Sequence, residues 1–350
     1  MAGKQDYYKM IHRKWIFIII CALLILVTLI FSLSIGMYDL SFFDCYRVLI
    51  EHLTGNITDP YADDIVVFTR LPIGVFAIIV GAVLALGGAV MQSMLRNPLA
   101  DPYTMGVSSG ALLGASIAIV LGNGIMPLFS DPWIKIVMAF GFSLIPVAVI
   151  LMFSFKRRVT ATKIILIGIA MMYIFSAIVQ LLMITASEET LAEIYSWRVG
   201  TLALTTWDTI PIPLFISLVC GVVLFYHHRS INVMMAGSNS AHSMGVDPKR
   251  TILIEITIVS LMTAAVVCFT GTIGFVGLVG PHIARLFVGS ESKHLLPASA
   301  LFGGLFLLLA NCVARVSGEY GLPVGVISAI IGCPLFIMIL IRMRRKSAWK

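Results

Sequence analysis

The chain has 350 residues, of which 59% are hydrophobic and 12% are charged, and its formal net charge is +7. Soluble domains carry about 25% charged residues, so this composition excludes a soluble globular enzyme, a disordered protein and an ordinary basic nucleic-acid binder. A polytopic membrane protein remains, because only lipid can solvate this much apolar surface.

Ten segments are apolar over about the 20 residues that a membrane-spanning helix needs. In chain order they are 15–35, 70–94, 104–121, 133–155, 163–186, 208–226, 251–271, 274–288, 296–315 and 322–341. The first follows a basic stretch and could be a signal peptide, but it is long for one and no small-residue cleavage site follows, which favours a retained helix. The segment 274–288 is short, glycine-rich and contains Pro281, which predicts a broken helix that protein surrounds or that lines a cavity. The predicted fold is all-α, with about ten transmembrane helices in a single domain over 1–350.

The charged residues predict the orientation of these spans. With the N-terminus inside, 12 of the 17 acidic residues fall outside, and only five of the 24 basic residues do so: Arg47, Arg70, Lys135, Arg198 and Arg315. Because short cytoplasmic loops carry an excess of Lys and Arg, both termini are predicted to be cytoplasmic, in the cell (plasma or inner) membrane. The predicted organisation is a cytoplasmic N-terminus (1–14), a ten-helix bundle (15–341) with an internal cytoplasmic loop (228–250), and a basic cytoplasmic tail (342–350).

The segment between the first two spans is acidic. Residues 37–69 contain six Asp or Glu residues with apolar residues between them. This pattern predicts a short amphipathic helix at about 39–53, followed by a polar loop.

Motifs for catalysis and ion coupling are absent from the sequence. It has no GxxxxGK[ST] phosphate-binding loop, no HExxH and no recognisable Ser-His-Asp set, and its six cysteines show no CxxC or metal-binding spacing. Glu255 lies one turn into the seventh span, where it is expected to reach water. Proton-coupled carriers usually need buried carboxylates or histidines at mid-depth. The sequence therefore favours an external energy source over the two alternatives, an ion-coupled secondary transporter of a small organic solute and an intramembrane enzyme.

Two loops predicted to be cytoplasmic carry most of the local information. In the first, Pro98 and Pro102 forbid a continuous helix, and the small residues 108–110 follow, so the loop is either a plain turn before a packed helix or a constriction at the inner mouth of a pathway. The second, 228–250, is the longest internal loop, and Gly237 and Gly245 bound its centre. As the largest cytoplasmic surface, it is where a motor subunit would act.

A third informative segment, 271–286, has glycines at three-residue steps: Gly271, Gly274, Gly277 and Gly280. Such a stripe gives a helix face without side chains. The face could pack closely on another backbone, or a bulky substrate could pass it.

At these loops the sequence resembles the FecCD-type family, the iron-siderophore, haem and cobalamin permeases of binding-protein-dependent ABC importers. The resemblance covers roughly residues 15–345. Its motifs are Arg70-Leu71-Pro72, Gly81 to Gln92, Asn97 to Pro102 with Gly106 to Ala111, Trp197 with Gly200 and Trp207, Met244-Gly245-Val246, Gly274 to Leu278 with Pro281 to Arg285, and Leu322 to Val326 with Gly332-Cys333-Pro334.

The resemblance implies a cobalamin-importer-like permease subunit that is not itself an enzyme and holds no cofactor. It would act as a dimer with a second copy or a paralogue, with the translocation path at the dimer axis. An ATP-binding cassette ATPase, which binds ATP and magnesium, would dock on its inner face, and an extracytoplasmic substrate-binding protein would deliver a metal chelate. Membrane lipid would surround it, and no nucleic acid is expected as a partner.

The resemblance also implies roles for outer arginines. Arg70 and Arg315 match positions that hold acidic residues of the binding protein, although both could be ordinary membrane-interface arginines. The family often has a second arginine three residues after the first, where this chain has Ile73.

Further roles come from the same resemblance. Asn97 and Leu99 match one cytoplasmic gate position, and Ala161 and Thr162 match a second, with simple turn residues as the alternative. The segment matching the ATPase-coupling helices includes Gly237, Ser238, Asn239, Ala241, Met244, Gly245 and Val246, but Ser238-Asn239 stands where the family usually has an acid. The pathway-lining candidates are Ser108, Ser109, Gly110, Gly274, Gly277 and Gly280. His282 matches the family's Pro-His pair, for which no role is predicted.

Overall fold

The computed structural model describes residues 2–36, 38, 40–124, 126–156, 160–318 and 321–346. All regular structure within these ranges is helical, which confirms the all-α prediction. In chain order the α-helices are α1 (Ala2–Ser32), α2 (Phe42–Thr54), α3 (Pro60–Asp63), α4 (Leu71–Leu95), α5 (Val107–Gly124), α6 (Pro132–Ser143), α7 (Ile145–Lys156), α8 (Ala161–Thr185), α9 (Glu188–Val199), α10 (Pro211–Tyr226), α11 (His228–Met235), α12 (Ser238–Ser243), α13 (Pro248–Thr270), α14 (Val276–Val288), α15 (Ser292–Val316) and α16 (Val324–Lys346). Residues 347–350 of the predicted tail lie outside the described ranges.

Eight helical segments of the described chain are long and apolar enough to cross a membrane. They are Ile11–Ser32, Pro60–Leu95, Val107–Gly124, Pro132–Ser154, Ala161–Thr185, Trp207–Tyr226, Pro248–Thr270 and Ser292–Val316. Two shorter apolar helices, Val276–Val288 and Val324–Ile339, complete the set. These ten segments correspond one to one with the predicted spans, and α14 is the short helix expected near 274–288.

The second span begins ten residues earlier than predicted. The Asp59 side chain accepts hydrogen bonds from the backbone of Tyr61 and Ala62, and Pro60 occupies the first helical turn, an arrangement that starts helices efficiently. The helix then continues through the π-helical segment Asp64–Arg70 into α4. The polar loop predicted after α2 is therefore only residues 55–59.

The amphipathic helix predicted in the acidic segment is α2. Ser41 caps its N-terminus by accepting a hydrogen bond from the Asp44 backbone, and Gly55 ends it at φ 74°. One face, including Cys45 and Val48, is buried in a small apolar cluster with Val66 of the second span. The chain between the first two spans is thus fixed against the bundle.

Successive spans place the connections at two ends of the bundle. We call one the α2 end, which has the connections after α1, α5, α8, α13 and α15, and the other the α12 end, which has the connections after α4, α7, α10 and α14. Contacts at the α12 end join distant parts of the chain. Lys14 Nζ lies 2.8 Å from Glu291 Oε2, and this hydrogen bond holds the pKa of the Glu291 carboxyl below its usual value. Since the carboxylate form is favoured, this contribution to stability is lost as the pH falls through that lowered pKa.

Helix α4 lies at the centre, packed on α13, α14 and α15. Its small residues explain this position. A Cβ atom on Gly81 or on Gly88 would fall less than 3.0 Å from the backbone of Gly303 or Gly277, respectively. Small residues let membrane helices approach closely and gain van der Waals contact, so the glycines of α4, α14 and α15 hold these three helices together.

Candidate functional site

A cavity of about 780 Å³ lies at the α12 end. Its wall combines the end of α4, the start of α8 and parts of α11, α12 and α13. The predicted gate residues Ala161 and Thr162 therefore line the same cavity as Ser238 and Asn239 of the predicted coupling segment. A displacement of α12 would therefore change the shape of a cavity that the predicted gate residues also line.

The other predicted gate residues lie in a tight turn after α4. Arg96 ends that helix in the left-handed region at φ 47°. Asn97 follows, and its side-chain oxygen accepts the backbone N–H of Leu99 at 3.0 Å, while the Ala100 backbone N–H donates to the Asn97 carbonyl oxygen at 3.1 Å. The turn leaves Leu99 half exposed at 50%. Asn97 thus shapes the turn, and Leu99 is its exposed apolar tip.

The predicted coupling segment forms α11, α12 and the turns around them. Gly237 at φ 110° and Gly245 at φ 80° supply the backbone conformations that start and follow the six-residue α12. Ala241 is fully buried, whereas Met244 is 62% exposed, and the Val246 backbone N–H donates to the Ala241 carbonyl oxygen at 3.0 Å. The segment is therefore a compact projection with an exposed apolar tip.

The gate turn and the coupling segment also approach each other directly. A Cβ atom on Gly237 would lie 3.2 Å from Nη1 of Arg96. The guanidinium of Arg96, at the end of α4, thus lies beside the backbone of Gly237, at the start of α12. Sequence reasoning missed Arg96, whose signal was a long cation placed just before the proline-rich turn.

Two segments that lie between α-helices, from opposite ends of the bundle, meet inside it. Residues 101–106 precede α5, and residues 271–275 precede α14. The Ile273 backbone N–H donates to the Tyr103 hydroxyl at 2.8 Å. The buried Asp101 accepts the Thr104 backbone N–H at 2.8 Å, and this bond fixes the turn that presents Tyr103. Irregular backbone inside a membrane protein must have such partners.

The 271–275 segment is also tied to the α2 end. The Thr201 backbone N–H donates to the Thr270 carbonyl oxygen at 2.8 Å, the Thr272 hydroxyl donates to the Arg198 carbonyl oxygen, and the Ser328 hydroxyl reaches the Gly274 carbonyl oxygen at 3.3 Å. Hydrogen bonds therefore lead from the gate side through Tyr103 to the connections at the opposite end. Tyr103 was not among the predicted site residues, because nothing local in the sequence pairs it with Ile273.

We expect Tyr103→Phe to leave the chain folded but to weaken the link between these segments. The change removes one hydrogen-bond acceptor and leaves the buried Ile273 N–H unsatisfied, which costs about 1–3 kcal/mol. The thermal unfolding midpoint should fall accordingly, and the rate of amide hydrogen exchange at residues 271–275 should rise. Tyr38→Phe at the α2 end is the control, since the Tyr38 hydroxyl has no hydrogen bond in the described structure. Unchanged exchange at 271–275 would show that the Tyr103 hydroxyl does not hold this segment.

The predicted pathway-lining residues are in different environments. A Cβ atom on Gly110 would clash with the α6 backbone at Phe142, and one on Gly280 would clash with Ala85. Gly277 lies against α4, as described above. At Gly274 nothing lies within 4 Å of such an atom. Close packing, one of the two alternatives for the glycine stripe, therefore describes Gly277 and Gly280.

The serine candidates lie at the start of α5. Ser108 is buried and Ser109 is partly exposed. Their place directly after the 101–106 segment puts both beside the junction with residues 271–275. A pathway-lining role for Ser108, Ser109 and Gly274 stays a prediction.

The two predicted docking arginines line one cleft of about 460 Å³ at the α2 end. Arg70 is 2% exposed, and its Nη1 and Nη2 donate to the carbonyl oxygens of Leu33 and Tyr38 at 2.7 and 2.6 Å. Arg315 is partly exposed, and its Nη1 donates to the Ser32 carbonyl oxygen at 3.2 Å. Both cations thus hold the C-terminal end of α1, where orphan carbonyls and the helix dipole favour positive charge.

The same cleft contains Ile73, the position of the missing second arginine, and Asn311. Asn311 lies one helical turn before Arg315, it is 4% exposed, and its Nδ2 has no hydrogen-bond partner in the described structure. Within the described ranges, the residues that line the cleft include no acid. It is a surface of hydrogen-bond donors and positive charge.

The expectation that Glu255 reaches water is wrong. Glu255 is 1% exposed, and its Oε1 lies 2.7 Å from Nδ1 of His227 at the end of α10. Because α10 ends beside this residue, a histidine covers the carboxylate. His282 is also buried. Its Nδ1 donates to the Leu278 carbonyl oxygen at 2.7 Å, and its ring packs edge-on against Phe336 of α16.

Among the described residues, no group of three or more His, Cys, Asp or Glu side chains could hold a metal ion. The described cysteines form no disulfide. The site is therefore built from turns, cavities and charges at the two ends, joined through the interior by Tyr103.

Comparison with known proteins agrees with the resemblance seen in the motifs. The FecCD transport family matches residues 23–342. The cobalamin import permease BtuC of Halobacterium salinarum is 40% identical over 276 residues, covering 77% of this chain and 72% of BtuC. The molybdate import permease MolB of Haemophilus influenzae is 33% identical over 326 residues, covering 92% of this chain and 94% of MolB. A solved inward-facing structure described as a metal-chelate type ABC transporter aligns with a TM-score of 0.82 and 31% identity, covering 93% of this chain and 98% of that one. This multi-pass membrane protein therefore belongs to the FecCD transport family.

Proposed function

We propose that the chain is the permease subunit of an ATP-driven importer that moves a metal chelate into the cytoplasm. The observation that carries this proposal is the cavity at the α12 end, where predicted gate residues and the predicted coupling segment share one wall. A separate ATPase acting on α12 could change that wall directly. Catalysis then belongs to the partner, which binds ATP and magnesium, and this chain is not an enzyme.

The α12 end suits an ATPase as partner. Met244 is an exposed apolar side chain at the tip of a projection that is held rigid by Ala241 and Val246. Exposed apolar anchors on a rigid turn are typical of the centre of a protein interface. The absence of an acid at Ser238-Asn239 means that packing, more than charge, would hold this contact.

The α2 end suits an acidic partner. Arg70, Arg315 and Asn311 supply hydrogen-bond donors in a cleft whose described lining residues include no acid, and arginine binds carboxylates in a forked geometry. We propose that an extracytoplasmic binding protein places a carboxylate there. Arg315, which is partly exposed, would make the contact, and Arg70 would hold the cleft wall in place.

The proposed cargo is a ferric siderophore, haem or cobalamin, and the proposed assembly contains two permease chains. The solved relative described as a metal-chelate type transporter supports the cargo class. MolB, named as a molybdate permease at 33% identity, makes molybdate the competing cargo. A path between two copies is consistent with the glycine faces of α4 and α14, which pack within the chain and leave little space for a large cargo there.

The proposed orientation puts the α12 end in the cytoplasm. Cysteines introduced at Asp59 and at Ser240, in a background whose native cysteines are replaced, should react with an impermeant maleimide from opposite sides, the first from outside. The physical reason is the excess of basic residues on one side of the spans. Labelling of both positions from one side would contradict this topology.

The function is tested by reconstituting the chain in proteoliposomes with its ATPase and its binding protein. We expect ATP-dependent accumulation of one metal chelate from a panel of ferric siderophore, haem and cobalamin, and none when any component is omitted. Molybdate in the same panel tests the competing cargo. Chelate uptake by this chain alone, driven by a proton or sodium gradient, would instead identify a secondary transporter.

A further inference from the structure

An apolar groove runs along the outer surface of the spans between α4, α10, α13 and α15. Its volume is about 450 Å³. Its walls include Ile79, Leu86 and Met262, and Ser217 adds a hydroxyl. Leu218, which also lines it, is 59% exposed, so the groove opens sideways. All four helices belong to span-length segments, so the groove lies within the bilayer, where it would meet acyl chains.

The shape of the groove depends on one residue of α10. A Cβ atom on Gly221 would meet only Leu86 Cδ2, at an ordinary distance of 3.7 Å. The space beyond it is open because Gly221 has no side chain. A leucine there would project into the groove, whereas Val219 on the same helix is 49% exposed and does not line it.

The groove ends beside basic residues at the α12 end. Phe225 lines the groove and stacks on His228, with ring centroids 5.5 Å apart, and Arg229 follows on α11. On α15, Lys293 lies three residues before Leu296, which lines the groove, so both lie on one helical face.

Helices α11 and α15 meet at this end. The Asn232 side-chain oxygen accepts the Ser292 backbone N–H at 2.7 Å. This bond joins α11, on which Arg229 lies three residues before Asn232, to the residue that precedes Lys293 on α15. Both cations are exposed, and neither takes part in a salt bridge within the described structure.

We propose that this groove binds one anionic phospholipid. An acyl chain would lie along the apolar walls, and the phosphate would lie between Lys293 and Arg229. Apolar burial combined with attraction of an anionic headgroup to basic residues is how proteins select such lipids. A neutral lipid or a protein helix could fill the apolar part, but neither would need the two exposed cations near its end. The proposal does not depend on which compartment the α12 end faces.

The test is native mass spectrometry of the full-length chain in detergent with added phosphatidylglycerol or phosphatidylcholine. We expect one phosphatidylglycerol to be retained per chain in preference to phosphatidylcholine. Lys293→Glu should lower phosphatidylglycerol binding about fivefold or more and leave phosphatidylcholine binding unchanged. Gly221→Leu should lower the binding of both lipids. Val219→Leu is the matched control and should change neither.

Equal retention of the two lipids by the unmodified chain, or an unchanged preference in Lys293→Glu, would overturn the proposal. The proposal would also be overturned if Gly221→Leu has a normal thermal unfolding midpoint and still retains both lipids as well as the unmodified chain does. If Gly221→Leu fails to fold, Ala82→Leu fills the same groove from α4 and is measured instead. Should a filling variant dissociate a dimer of the lipid-free chain, the occupant is a second copy and the lipid proposal is wrong.

Discussion

Gly88→Ala should prevent most of the protein from reaching its folded state in the membrane. A Cβ atom at position 88 would lie less than 3.0 Å from the carbonyl oxygen of Gly277 and from two further backbone atoms of that residue. No rotamer change can relieve a clash between a Cβ atom and backbone, so α14 would have to move away from α4. Overpacking usually costs about 1–3 kcal/mol and occasionally more, and we expect a value at or above the top of that range.

The measurement is the yield of monodisperse protein after detergent extraction, with the thermal unfolding midpoint of what remains. Gly141→Ala is the matched control. Gly141 lies in the α6 part of the fourth span, and nothing lies within 4 Å of a Cβ atom there. This control should stay within about 0.5 kcal/mol of the parent chain. A normal yield and midpoint for Gly88→Ala would mean that α14 does not pack on α4 as described.

Arg70→Glu should destabilise the chain strongly, in addition to any effect on partner binding. The buried guanidinium donates to the carbonyl oxygens of Leu33 and Tyr38. A carboxylate in its place would face those oxygens without a donor. Leaving a buried charge without its partner costs about 3–5 kcal/mol. The thermal unfolding midpoint should therefore fall markedly, and the end of α1 should become accessible to protease.

Arg315→Glu separates docking from folding, because Arg315 is partly exposed and makes one longer hydrogen bond. We expect near-normal unfolding but at least about tenfold weaker association with the binding protein, since truncating a charge in a desolvated interfacial pair costs about 2–5 kcal/mol. A compensating Glu→Arg change on the binding protein should restore part of it. Unchanged association in Arg315→Glu would show that Arg315 only anchors a helix end.

The helices were predictable because their signals are local. Runs of apolar residues and the segregation of Lys and Arg give ten spans, and they agree with ten apolar helical segments. The missed start of the second span also has a local cause, since Asp59 followed by Pro60 is a helix-starting pair within a segment interpreted as a loop. Residues 70–94 alone had satisfied the length that a bilayer requires.

The contacts within the site were less predictable because they join residues far apart in sequence. Tyr103 and Ile273 are 170 residues apart, and the burial of Arg70 depends on the path of the chain after α1. Similarly, Glu255 has its expected place in the seventh span, but its partner His227 directly follows the sixth. The glycine stripe allowed two interpretations, and only the position of α4 selects packing for Gly277 and Gly280.

The short length of α14 has a consequence for how the protein is made. Its 13 residues rise about 20 Å, less than the roughly 30 Å hydrocarbon thickness, and they include His282 and Arg285, which disfavour entry into lipid. Such a segment is a poor independent signal for the insertion machinery. Its place in the bilayer is therefore determined after synthesis of the earlier spans, when the glycine face of α4 is available to receive it. Because α15 and α16 follow α14, the orientation of the last part of the chain depends on that early helix.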